Sequence, residues 1–203
     1  SSLNIKLYVK IGGVEALNDI YNCLDLQVDG IIAPMVETKF GLKKFLEIFD
    51  RLKLKKNPSL TINIETKSGI DNIKDILKHA SGKINNVTIG RTDLSASYFK
   101  KNIVPNSNFI LDKIKLISKM ATKYKLKTTV GGSVNAETIR MYSKVKNINK
   151  LINKIETRKV MLPTNIFLKK KAALKNALKF EKEMIDLRLS SEIIRLSKLN
   201  TRK

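Results

Sequence analysis

Glu65 and Asp93 are the residues of this chain best placed to do chemistry, because each closes an apolar run and opens a turn. The runs are Leu60-Thr-Ile-Asn-Ile-Glu65-Thr66 and Val87-Thr-Ile-Gly90-Arg91-Thr92-Asp93-Leu94. A short, continuous apolar run bounded by turn residues has the pattern of a buried parallel strand. Between the two acids, Ile70, Ile73, Ile76 and Leu77 recur at helical spacing. Strand, helix and strand make a βαβ unit, which delivers both carboxylates to one edge of a sheet, outside the strands' carboxyl ends. That is where α/β folds build their sites. Two hard carboxylate oxygens side by side suit a divalent cation such as Mg2+ or Mn2+. The competing reading makes the same acids helix N-caps or ion-pair partners, since acids are favoured at helix starts.

Other groups fall at equivalent positions. Glu37-Thr38 repeats the Glu65-Thr66 pattern one unit earlier, as a helix-start acid or a support beside the metal. Gly12-Gly13 and Gly131-Gly132-Ser133 read as tight strand-to-helix turns, and the amides of the second could instead hold a small anion. Glu156-Thr157-Arg158 puts an acid and a base at the last strand end, which makes Arg158 a candidate for substrate contact. His79 is the only histidine and ends a helical stretch, where a surface position is expected. No Cys/His cluster exists for zinc. The single Cys23 cannot form an internal disulfide, so the expected setting is a reducing cytoplasm.

The elements that must carry these residues alternate regularly. Ile5–Ile11 reads as a strand ending at Gly12-Gly13, and Val14–Leu26 as a helix. Gly30–Val36 is a second strand, followed by a helix with Phe40, Leu42, Phe45, Leu46 and Phe49 on its apolar side. The third and fourth strands end at Glu65 and near Asp93. Ile110–Tyr124 is a helix, Lys127–Val130 a fifth strand and Val134–Tyr142 a helix. Lys150–Ile155 is a sixth strand, with a possible extension through Val160-Met-Leu162. Beyond Pro163 the pattern is helical, over Ile166–Leu189 and again after Ser190-Ser191. This alternation predicts an α/β fold with a parallel sheet, and so many units favour a (β/α)8 barrel. Six strands are two short of a closed barrel. The reading is a barrel domain over 1–162 that lacks its first one or two strands, with a C-terminal helical extension over 163–203. An open sheet, or a barrel completed by a partner, is the alternative.

The chain has 203 residues, 42% of them hydrophobic, enough for one core. It contains neither a long apolar run nor a charged-then-apolar leader, so no membrane span or signal peptide is expected. The formal charge of +22 points first to nucleic acid. The lysines, however, are spread along the whole chain, and arginines interleaved with aromatics on one surface are missing. The charge therefore reads as a solvated lysine-rich surface, with nonspecific polyanion binding at low salt and no specific nucleic-acid partner.

Three segments taken in order, Pro34-Met-Val-Glu-Thr38, Ile64-Glu-Thr-Lys-Ser-Gly69 and Gly90-Arg-Thr-Asp-Leu94, resemble the aldolase/citrate lyase β-subunit family of the HpcH/HpaI type. The similarity runs over roughly Lys6 to Met161. It implies a phosphoenolpyruvate/pyruvate-type TIM barrel and carbon–carbon lyase or aldolase chemistry on a pyruvate-like 2-oxo acid or related carboxylate. It also implies Mg2+ or Mn2+ on Glu65 and Asp93, substrate contacts from Gly90 and Thr92, and a homo-oligomer packed through the C-terminal helices. The metal would chelate the substrate and stabilise an enolate. Two departures stand out. The strand before Pro-Met-Val carries Lys10 where the family has a bidentate Arg, and the two are not equivalent. Arg91 and Arg158 are the other cations available to neutralise the substrate carboxylate. The histidine proton shuttle of many such aldolases also has no counterpart. A barrel that keeps the fold but has lost aldol chemistry, and serves as a binding or assembly subunit, is the second expectation.

Overall fold

The computed structural model describes residues 5–200, so the opening Ser1-Ser2 lies outside the described residues. The chain runs β1 (Tyr8–Lys10), α1 (Leu17–Asp25), β2 (Gly30–Ala33), α2 (Lys39–Leu52) and β3 (Ser59–Ile64). It continues through α3 (Lys67–Asp71), α4 (Ile73–Ala80), β4 (Asn86–Gly90), α5 (Arg91–Ala96), α6 (Asn108–Lys123) and β5 (Lys127–Gly131). The last part comprises α7 (Ala136–Ser143), α8 (Ile148–Leu151), β6 (Lys154–Glu156), β7 (Met161–Pro163), α9 (Thr164–Lys169) and α10 (Lys171–Asn200).

All the strands join one sheet in chain order, six parallel and β7 antiparallel to β6. Strand alternation divides it into two unlike faces. One carries Ile31, Ile62, Ile64, Val87, Ile89, Val130 and Ile155, every one fully buried. Leu42 and Phe45 of α2, Ile76 and Leu77 of α4, and Ile114 and Ile117 of α6 pack into the same core. Burying each such side chain contributes roughly 1.5–3 kcal/mol, so this face holds the helices on.

The opposite face is polar. The register aligns Thr61 and Asn63 of β3 with Asn86 and Thr88 of β4, and Thr88 with Thr129 of β5 and Lys154 of β6. This face is concave: Lys154 Nζ lies 5.7 Å from the centre of the Tyr8 ring on β1. In a flat sheet, strands five places apart would be separated by about 24 Å. The sheet is therefore curled, with its first and sixth strands facing each other across a polar interior.

Several expectations are corrected. Seven strands replace six, and among the described residues no pairing between β1 and β7 closes the sheet. Lys150–Ile155 is not one strand: Ile148–Leu151 forms a helical turn and the strand is only Lys154–Glu156. Ile148 and Ile152 are both buried at a spacing of four, a helical period that a short apolar run cannot distinguish from a strand. Val160-Met-Leu162 does not prolong that strand. The Thr157 N–H donates to Val160 O (2.8 Å) and reverses the chain, so β7 runs back along β6. Ser190-Ser191 does not break α10, because each hydroxyl bonds back to a carbonyl four residues earlier, on Asp186 and Leu187. His79 is half-buried in the last turn of α4, and Cys23 is buried and free. Among the described residues, no helix is long and apolar enough to cross a membrane.

Candidate active site

The two Glu-Thr motifs fold alike. Thr38 and Thr66 have nearly identical extended backbones and cap α2 and α3, each hydroxyl accepting an N–H three residues on (3.0 Å). The threonine is the N-cap, which leaves the preceding glutamate free for other work. Glu37 stays half-buried outside the strands. Glu65, 3% exposed, follows the last residue of β3 and turns onto the concave face.

Two groups hold Glu65. The Met35 N–H donates to its Oε1 (3.0 Å) and the Asn63 amide to its Oε2 (3.2 Å). Met35 adopts a left-handed φ of 50°, which curls the β2–α2 connection over the end of β3. Val36 N–H also reaches Asn63 O (3.1 Å). The Glu65 carboxylate lies against Gly90, where any Cβ would collide with it. Asp93 is three residues further on, exposed in the first turn of α5. Thr92 is exposed as well, its hydroxyl paired with that of Ser133 (2.9 Å). The strand ends thus bring Glu65 and Gly90 together and place Thr92 and Asp93 on the adjoining turn.

Glu156 ends β6 on the same face. Its side chain lies against Gly131, where a Cβ would fall 2.6 Å from its Oε1. Burial pushes this carboxyl up to about 7, with the Lys10 charge opposing and the Glu65 charge reinforcing the shift. Lys10, exposed at the end of β1, therefore acts on this interior. The Glu-Thr-Arg segment points to Arg158, whereas the residue that reaches the interior is Glu156. Arg158 is exposed on the β6–β7 turn, its backbone N–H donating to Glu181 of α10 (3.1 Å). Asn63 was also missed; its signal is its position two residues before Glu65, on the same side of the strand.

Arg91 follows Gly90 at the start of α5. It is fully buried and gives all five of its N–H groups to protein acceptors. These are Gly131 O (3.1 Å), Pro105 O (3.4 Å), Asn106 Oδ1 (2.8 Å), Gly132 O and Thr138 Oγ1 (3.2 Å). A guanidinium has five donors, so none is left for a substrate carboxylate. Its work is to clamp the β5–α7 loop and the α5–α6 loop onto the end of β4.

The donor set suits a hard divalent cation. Mg2+ is commonly held by one or two carboxylates, with water or substrate supplying the remaining oxygens. Among the described residues no group of three or more His, Cys, Asp or Glu that could hold a metal is present. The buried Asn63 Oδ1 has no hydrogen-bond partner and belongs to the side chain that touches Glu65. Glu65 itself has no ion-pair partner among the described residues. An acceptor left orphaned beside a buried carboxylate is what a hydrated cation would satisfy.

A model of the HpcH/HpaI aldolase/citrate lyase family matches residues 6–158. No curated protein matches the chain in sequence. Among solved structures, RipC from Yersinia pestis is similar at a TM-score of 0.61 and 16% identity, covering 83% of this chain and 79% of that one. An HpcH/HpaI aldolase from Desulfitobacterium hafniense DCB-2 is similar at 0.60 and 13%, covering 89% and 72%. A citrate lyase from Burkholderia xenovorans LB400 gives 0.61 and 9%, covering 75% of this chain and 53% of that one.

Proposed function

We propose, for a chain that belongs to the HpcH/HpaI aldolase/citrate lyase family, a metal-dependent carbon–carbon lyase or aldolase acting on a pyruvate-like 2-oxo acid. The curled sheet is read as the greater part of a TIM-type barrel whose site lies at the carboxyl ends of its strands. Glu65 and Asp93 would hold Mg2+ or Mn2+, which when bound polarises a substrate carbonyl and stabilises negative charge developing there. Gly90 and Thr92 line the substrate's approach, and Lys10 supplies the cation for its carboxylate. Arg158 stands exposed beside the same strand ends as a further cation within the reading, while Arg91 holds the loops that frame it.

The observation that carries this reading is Glu65. This buried carboxylate accepts two hydrogen bonds but has no cationic partner among the described residues, and it touches an amide whose oxygen is unpaired, so a cation would complete its surroundings. Its place beside Gly90, one turn before Asp93, is where a substrate carbonyl would meet that cation.

The test is calorimetric titration of Mg2+ and Mn2+, with and without pyruvate or oxaloacetate, on the wild type and on Asp93→Asn. Metal binding that tightens with the oxo acid, and weakens at least about tenfold in the variant, is expected. Undiminished metal binding by Asp93→Asn would sink the reading.

A further inference from the structure

Glu156 is an acid of the concave face that has no task in the proposed lyase site. It ends β6 half-buried, and among the described residues its carboxylate has neither a hydrogen-bond donor nor an ion-pair partner. Its position is nonetheless closely defined. Gly90 and Gly131 are register partners on β4 and β5. Glu65 leans over Gly90 from β3, and Glu156 leans over Gly131 from β6, each filling the space that a Cβ would occupy. Two carboxyl groups from strands three places apart thus converge over a floor of two glycines. Among the described residues no hydrogen bond joins them, and both border the space above the two glycines.

The two acids are not equivalent. Both oxygens of Glu65 already accept protein hydrogen bonds, whereas Glu156 keeps both of its own free. Asp93 is exposed to bulk water. The charged groups placed around Glu156 are Lys10 from β1, Glu65 after β3, and Lys154 two residues earlier on its own strand.

We propose that Glu156 is the proton-transfer group of this site. Resting on the lyase reading, the step is as follows for a 2-oxo acid bearing a hydroxyl two carbons from its keto group. The Glu156 carboxylate takes the hydroxyl proton, and that oxygen becomes an aldehyde or ketone carbonyl as the carbon–carbon bond breaks. The bonding pair moves into the enolate of the remaining 2-oxo acid. After the carbonyl fragment leaves, the Glu156 carboxyl returns the proton to the enolate carbon, and the carboxylate is restored. Atoms and electrons balance with no outside oxidant or reductant. Among the described residues the Glu156 carboxylate accepts no hydrogen bond and faces the same space as Glu65, so its oxygens are free to take a proton from a substrate hydroxyl and return it.

The test is exchange of the methyl protons of pyruvate with deuterium, followed by NMR in the presence of Mg2+, which isolates the second half of the step. Binding of Mg2+ and pyruvate is measured in parallel by calorimetry, on wild type, Glu156→Gln and Glu156→Asp. Expected are wild-type binding within about threefold and exchange slowed at least about 100-fold in Glu156→Gln, with added formate restoring part of the rate. Glu156→Asp, one methylene shorter and still acidic, is expected to bind normally and exchange at an intermediate rate; it carries the test if the amide variant does not fold. Exchange within about threefold of wild type, with binding intact, overturns the assignment. Loss of binding in Glu156→Gln also overturns it, by making Glu156 a binding residue. A wild type that binds neither metal nor pyruvate overturns the lyase reading itself, and this proposal with it.

Discussion

Replacing Glu156 by Gln should change stability in a way that depends on pH, and the sign follows from the burial of the carboxyl. In the folded protein its pKa is pushed up to about 7, against an ordinary 4.5. Below the lower value the group is protonated in both the folded and the unfolded chain, and the folded protein has its full stability. As pH rises through the interval, the unfolded chain ionises first and the folded chain resists, so stability is lost until the folded carboxyl has ionised too. The interval of about 2.5 units corresponds to a loss of about 3 kcal/mol at most. The Gln side chain is close in shape and cannot ionise. The variant is therefore expected to match the wild type near pH 4 and to exceed it by up to about 3 kcal/mol near pH 8. Chemical unfolding followed by circular dichroism at about pH 4, 5.5, 7 and 8.5, with the denaturant slope held common, measures the difference. The Lys10 charge opposes the shift, so Lys10→Met should steepen the wild-type profile. A stability difference that stays constant across this range would mean that Glu156 titrates as an exposed carboxyl, and the concave face would not be the desolvated space described above.

Two further perturbations test the scaffold around the site. Arg91→Ala would orphan up to five buried acceptors and is expected to cost about 3–5 kcal/mol or to prevent folding, with Arg91→Lys intermediate; a loss under about 1 kcal/mol in chemical unfolding would refute the clamp. Gly131→Ala would drive a methyl group into the Glu156 carboxyl and is expected to cost about 1–3 kcal/mol, and in combination with Glu156→Ala most of that cost should vanish. Additive losses in that double-mutant cycle would show that the two residues do not touch.

Much of this architecture is legible in the sequence because parallel strands are buried on the helix-bearing face. The continuous apolar runs before Glu65 and Gly90 mark β3 and β4 without ambiguity. The same runs say little about the concave face, where Thr61, Asn63, Thr88 and Thr129 stand among apolar neighbours and look like ordinary strand formers. Asn63 stands out only because alternation places it beside Glu65, to which its amide donates. The Glu156 segment misleads for a related reason. Three residues of strand followed by a reversal carry too little pattern to say where the strand stops; it stops at Glu156, whose side chain lies against Gly131, and Arg158 is already on the turn. The partners of Arg91 are the least legible. A cation in a glycine-rich strand-end motif reads as an anion binder, yet its five acceptors are mostly backbone carbonyls and loop side chains from positions 14 to 47 residues away. No local pattern announces such a partner set.

That partner set also explains how these strand ends are held. Gly90, Arg91 and Asp93 lie within four residues, and the turn from β4 into α5 sends them in three directions. Gly90 provides the floor beneath Glu65. Arg91 turns into the protein and grips Gly131 O and Gly132 O, which fixes the end of β5 and therefore the floor beneath Glu156. Asp93 emerges into solvent on the first turn of α5, where a bound cation would find it. A conservative change at Arg91 should thus reach Glu156 without touching it. If Arg91→Lys folds, its pH-dependent loss of stability should be smaller than that of the wild type, because a loosened β5 end admits water to the carboxyl. An unchanged profile in a folded but destabilised Arg91→Lys protein would separate the clamp from the site and leave the floor beneath Glu156 to the sheet register alone.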